Sequence, residues 1–319
     1  MGGARRGAHP LERRGGCCGA QPVQGTRMNY PKMVLMAAGL LLGAAGVVGG
    51  AEAERAAVFP QHVIGNSQIR VLPTAANGRD YQLYVALPYG YAANPEKRYP
   101  VLYLCDGYWD FTLLCGLYGN LIYDKVVPEF IIVGLGYAGE KPDYDSLRRY
   151  DYTPVAHPED KRAAGSGHAG EFLSVIEKEI IPFVEREYRA DASYRVLAGS
   201  SLGGLFTLNA MLERPGLFQA YIAASPACEW AGGAFFEKEA AFAKTNKGLK
   251  ARLFMTAATE EWPELLAAAK RFDRQLAART YAGFTYQFRL IDGERHGGTK
   301  PESYNRGVRF AFGPLRAKE

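Results

Sequence analysis

The chain has 319 residues, 48% of them apolar and 22% charged, with a formal net charge of +5. That balance excludes a disordered or fibrous chain, and the length suffices to bury a full core as one large α/β domain or two small ones. Residues 1–53 hold six basic side chains (Arg5, Arg6, Arg13, Arg14, Arg27 and Lys32) and two acids (Glu12 and Glu52); taking these from totals of 38 and 33 leaves 32 against 31, so the rest is near neutral and carries no nucleic-acid footprint.

The five cysteines are Cys17, Cys18, Cys105, Cys115 and Cys228. They form no C-x-x-C pair and no histidine spacing completes a zinc set, so neither a metal nor a cofactor is expected. Cys105 and Cys115 either bridge in an oxidising compartment or remain two buried thiols.

In chain order, residues 1–27 are rich in Gly and Arg. Lys32, the apolar run Met33–Val48 and Ala51-Glu52-Ala53 then give the charged, apolar and A-x-A regions of a secretory signal peptide. A secreted or periplasmic protein cleaved after Ala53 follows, with no stable membrane insertion afterwards; the alternative is an uncleaved membrane anchor. Residues 1–53 are therefore set apart as extension and signal, and 54–319 as one domain.

Residues 62–73 and 80–88 read as two strands around the turn signal Asn77-Gly78, the second alternating at period 2. Tyr99–Cys105 and Phe130–Leu135 are near-continuous apolar strands, as in a sheet covered on both faces. A helical stretch around Phe111–Tyr123 lies between them. Residues 138–168 form a polar, Tyr- and Arg-rich excursion without a clear period, and long loops inside compact domains are usually functional. Glu171–Tyr188 carries an apolar helical stripe that Pro182 should kink. Short strands at Arg195–Ala198, Ala220–Ala224, Ala251–Ala257 and Phe284–Ile291 alternate with helices at Leu202–Leu212, 231–248, Pro263–Thr280 and near Pro301–Phe312. Strand–helix alternation predicts an α/β fold with a largely parallel sheet, helices on both faces, and an antiparallel hairpin at its N-terminal edge.

Gly199-Ser200-Ser201-Leu202-Gly203 fits G-x-S-x-G between a strand and a helix, the setting of a nucleophile elbow. Serine needs a positioned base. Of His9, His62, His157, His168 and His296, only His296 follows the last strand, where the order Ser…Asp/Glu…His places the base. The acid should follow a strand between Ser201 and His296. Glu260 and Glu261 both do so, with Glu261 preferred, and Asp292 is a poorer substitute. The backbone N–H of Leu202 supplies one oxyanion donor, and Gly107 or Tyr108, in the turn after Tyr99–Cys105, supplies the other.

Pro100–Gly107, Arg149–Pro154, Glu171–Tyr188, Ala198–Phe206 and Ser225-Pro226 with Trp230 resemble the Putative esterase family of α/β-hydrolases (esterase D-like), closest to its enterobactin and trilactone siderophore esterases. The resemblance covers residues 60–312. It implies the α/β-hydrolase fold, Ser201 as nucleophile, His296 as base and a glutamate near 261 as acid. The chain departs from the family where Ser200 replaces a histidine, where Ala227-Cys228-Glu229-Trp230 ends the Ser-Pro segment, and at Ala257-Ala258-Thr259. The expected activity is hydrolysis of a carboxylic ester, a siderophore trilactone or other small acyl ester, through an acyl-enzyme. The alternatives are an acyltransferase with the same triad and a non-catalytic binding protein. Arg148, Arg149, Tyr150 and Tyr152 offer cations and flat faces for an anionic aromatic substrate such as a ferric catecholate; equally, Arg149 pins the excursion to a carboxylate. Trp230 either lines the acyl pocket or covers the core. The small-molecule ester is the expected partner, and the sequence leaves the oligomeric state open.

Overall fold

The computed structural model describes residues 62–316, apart from 158, 160 and 162–164. The signal-peptide reading of residues 1–53, and Cys17 and Cys18 with it, lies outside the described residues. Eight strands form one sheet: β1 (Ser67–Val71), β2 (Tyr81–Ala86), β3 (Tyr99–Leu104), β4 (Ile131–Tyr137), β5 (Ala190–Ser200), β6 (Ala220–Ala224), β7 (Gly248–Ala258) and β8 (Ala282–Ile291). Their order is β1-β2-β4-β3-β5-β6-β7-β8. β1, β2 and β4 pair antiparallel, and every pair from β4 to β8 is parallel.

Every residue of β3, β4 and β6 is buried, because helices cover both faces. Alternation along β3 shows this directly. Tyr99, Val101 and Tyr103 join one core with Phe172, Phe206 and Phe272, while Leu102 and Leu104 join a second with Phe111, Phe130 and Phe312. α1 (Gly107–Tyr123) and α8 (Thr299–Phe312) pack on the second face. α2 (Tyr144–Tyr152), α3 (Ala169–Val175), α4 (Ile181–Glu187), α5 (Leu202–Glu213), α6 (Trp230–Thr245) and α7 (Pro263–Ala277) contribute to the first.

The chain runs from β3 outward to β4, then back across β3 to β5 and on to β8. Strand order therefore reverses between β3 and β5, and the loops leaving their carboxyl ends diverge. Such a switch point opens a crevice in an α/β sheet.

Two elements differ from the sequence expectation. The excursion contains α2, a helix hidden by its polarity but capped by Asp143, whose Oδ1 accepts from the Ser146 N–H at 3.2 Å. The helix expected over Glu171–Tyr188 is α3, a π-helical turn at Ile176–Ile180, and α4. Pro182 has no N–H to give to the carbonyl four residues back. The ladder widens ahead of it, with the Ile181 N–H reaching the Ile176 carbonyl. Cys105, Cys115 and Cys228 are free thiols, and burial pushes the Cys105 and Cys228 thiols well above their ordinary range. Among the described residues no helix is long and apolar enough to cross a membrane.

Candidate active site

Ser201 stands between β5 and α5 at φ 59°, ψ −119°, a conformation that L-residues rarely hold without support. Its N–H donates to the Ala224 carbonyl at 3.0 Å, and its own carbonyl accepts from Leu205 and Ala227 N–H at 2.9 and 3.0 Å. The tight turn explains the flanking glycines. A Cβ on Gly199 would collide with the Gly203 backbone, and one on Gly203 would sit 2.9 Å from the Cys105 Cβ.

The loops after β7 and β8 zip together beyond the strands. Thr259 N–H donates to the Ile291 carbonyl and Glu260 N–H to the Glu294 carbonyl, each at 3.0 Å. This register turns Glu261 inward. Its Oε1 lies 2.9 Å from His296 Nδ1 and accepts the Trp262 N–H at 3.2 Å, with the carboxylate fully buried. A carboxylate at Nδ1 favours the tautomer with hydrogen on Nδ1 and leaves Nε2 as the basic nitrogen. The Trp262 ring covers the imidazole at 4.6 Å between centroids. Glu260 instead faces solvent, 3.6 Å from Arg295, and Asp292 takes the Thr259 hydroxyl; neither reaches the imidazole.

Ser201 and His296 line one cavity of about 590 Å³, together with Leu202, Trp109, Arg148, Arg149, Glu229, Trp230, Trp262 and Lys300. Gly107 and Tyr108 open α1 beside it but are not among its lining residues. Asp106 precedes them at φ 54°. Gly107 is held against β4 so closely that a Cβ there would meet the Gly134 carbonyl carbon at 2.6 Å.

α2 fixes this turn. Arg148 binds both Asp106 oxygens at 2.8 Å, and the Tyr152 hydroxyl accepts the Asp106 N–H at 2.9 Å. Burial pulls the Arg148 guanidinium down, but Asp106 more than restores its charge. Arg149 pairs with Asp145 one turn back, its Nη2 at 3.1 Å. Both arginines thus line the cavity with their charges already met by carboxylates. The apolar stripe of α2 is short, Tyr144, Leu147 and Tyr152 on an otherwise polar segment, so the sequence does not mark Tyr152 and Asp106 as the frame of the turn. Trp230 serves both cavity and core: it is 8% exposed, and its Nε1 donates to the Val155 carbonyl at 2.9 Å.

The family model described as Putative esterase matches residues 74–284. Among curated proteins, the chain is 28% identical over 266 residues to the ferri-bacillibactin esterase BesA of Bacillus subtilis (strain 168), spanning 79% of this chain and 91% of that one. It is 31% identical over 175 residues to the siderophore triacetylfusarinine C esterase of Aspergillus fumigatus, spanning 53% and 59%. Among solved structures, it matches the BES protein from Bacillus cereus with a TM-score of 0.71 at 27% identity, over 80% of this chain and 98% of that one. An IroE-like serine hydrolase from Shewanella oneidensis also gives 0.71, at 24% identity over 79% and 82%, and speaks to fold alone.

Proposed function

The chain belongs to the Putative esterase family of α/β-hydrolases and is a carboxylic-ester hydrolase, and we propose that it works through Ser201, His296 and Glu261. His296 Nε2 takes the proton of Ser201 Oγ as that oxygen attacks the ester carbonyl. The oxyanion is met by the Leu202 N–H and by an amide of the turn that Gly107 and Tyr108 begin, where one donor is worth about 100- to 1000-fold in rate. His296 returns the proton to the leaving alkoxide, and the acyl group stays on Ser201. A water, deprotonated by His296, then attacks the acyl carbonyl, and the imidazolium returns that proton to Ser201 Oγ as the Oγ–acyl bond breaks and the acid leaves. Glu261 holds the imidazole and stabilises its protonated form.

The observation that carries this reading is the shared cavity: a serine held at φ 59° on an elbow opens into the same space as an imidazole whose far nitrogen is on a buried carboxylate. The names of the relatives support a siderophore ester as the substrate class; a trilactone and other small acyl esters are the forms we propose to test. Residues 1–53 support export to the periplasm or beyond, which N-terminal sequencing of the mature protein tests.

The catalytic reading is tested with a fluorophosphonate probe and a panel of p-nitrophenyl, feruloyl, acetyl-sugar and catecholate trilactone esters. The protein should label and turn over at least one class. Ser201→Ala should abolish labelling and lower kcat by about a million-fold. A Ser201→Ala protein that still labels or hydrolyses would overturn the assignment.

A further inference from the structure

We propose that Glu229 sets the charge preference of the cavity: it receives a cationic, N–H-bearing group of the substrate and disfavours one carrying a carboxylate. This rests on the hydrolase reading above and adds a specificity-determining residue to it.

Glu229 lines the same cavity as Ser201 and His296. Its place relative to the nucleophile is fixed through the backbone. Ser201 and Ala224 are hydrogen-bonded, Ala227 N–H donates to the Ser201 carbonyl, and Gly233 N–H donates to the carbonyl of Glu229 itself, each at 3.0 Å. Immediately after it the chain makes a left-handed turn through Ala231, Gly232 and Gly233, at φ 50°, 69° and 82°. Alanine adopts such a conformation at a cost of order 1 kcal/mol or more, so the loop is held in place rather than relaxed.

The cavity's other charges are already met. Arg148 sits on Asp106, Arg149 on Asp145 and Lys300 on Asp110 at 2.7 Å, and the buried Glu261 carboxylate is hydrogen-bonded to His296 Nδ1. Glu229 has no counter-ion among the described residues, and its Oε2 is buried with no hydrogen-bond partner. Burial, with the nearby Glu261 adding to it, raises its carboxyl above the ordinary range. A carboxylate in this condition gains most from an N–H or ammonium group brought by a ligand, and loses most from a second anion.

The test uses p-nitrophenyl esters of short acyl chains of matched length ending in an ammonium, a methyl or a carboxylate group. For each, kcat/KM is measured in the wild type, Glu229→Gln and Glu229→Lys, and affinity is measured by calorimetry in the same three backgrounds carrying Ser201→Ala. The wild type should prefer the ammonium ester to the carboxylate ester by about tenfold or more, as expected for a hydrogen bond to a buried charge. Glu229→Gln should bring the ratio near one, and Glu229→Lys should invert it, in turnover and in affinity alike. A wild-type ratio near one, or a ratio unchanged in both variants, overturns the proposal. The affinity arm keeps the two readings apart: if no ester is hydrolysed and Ser201 does not label, the catalytic reading fails, while the binding ratios still judge Glu229.

Discussion

Glu261→Gln gives the sharpest test of the site. The amide is nearly isosteric, and its oxygen can still accept from His296 Nδ1 and from the Trp262 N–H. What disappears is the charge. When His296 becomes an imidazolium, it faces a carboxylate 2.9 Å away whose side chain is fully buried. At an effective dielectric constant of about 20 two unit charges at that separation attract by about 6 kcal/mol. Since about 1.4 kcal/mol is tenfold, the variant should lose up to about four powers of ten in kcat. The loss should fall on kcat more than on KM, because the pair is strongest when the proton has moved. Glu260→Gln serves as the control. Its carboxylate is 57% exposed, with a long 3.6 Å contact to an 84% exposed Arg295, so activity should change by less than about threefold. Steady-state kinetics on a p-nitrophenyl ester measures both. Near-normal kcat in Glu261→Gln, or a larger loss in Glu260→Gln, would refute the assignment of the acid.

Three further outcomes follow from the packing around the site. Arg148→Ala leaves the Asp106 carboxylate, 5% exposed, without its cation, which should cost about 3–5 kcal/mol and lower the melting temperature by about 10 °C; a melting curve within about 2 °C of wild type would contradict this. Gly107→Ala forces a methyl into the β4 backbone and should reduce both stability and kcat, read by calorimetry and ester turnover. Asp151 is fully buried on α2, accepts the Tyr81 hydroxyl at 2.9 Å, and has its carboxyl raised by burial from 3.8 to about 6. The folded state therefore binds its proton more tightly than the unfolded chain, so this contribution is complete below pH 4 and is lost as pH rises through about 6, amounting to about 3 kcal/mol by neutrality. Asp151→Asn should flatten that part of the pH–stability curve, and an unchanged curve would show that the group does not titrate in this range.

Much of the fold was legible because the strands are unambiguous. β3, β4 and β6 are apolar throughout, which only a doubly covered sheet explains, and the G-x-S-x-G turn marks where β5 hands over to α5. What stayed hidden depended on partners distant in sequence. α2 has a polar sequence, and its reason for existing is the grip of Arg148 and Tyr152 on Asp106, more than forty residues away by chain number. The π-helical turn follows from a missing N–H at Pro182, where the sequence predicts only a kink. Glu260 and Glu261 cannot be told apart by strand alternation, since β7 has ended by Ala258; hydrogen bonds between two loops decide which one faces His296.

The reversal of strand order beside β3 also bears on how such an enzyme changes over evolutionary time. The proposed reacting groups come from the ends of β5, β7 and β8, braced by the sheet itself. Part of the cavity wall comes from α2, through Arg148 and Arg149, and from the stretch from Ala227 to Trp230 where α6 begins. Mutations in these two segments can alter which ester fits while the serine, the imidazole and the carboxylate keep their mutual spacing. Libraries aimed at new substrates should therefore be confined to residues such as Arg149, Glu229 and Trp230, leaving the strand ends untouched.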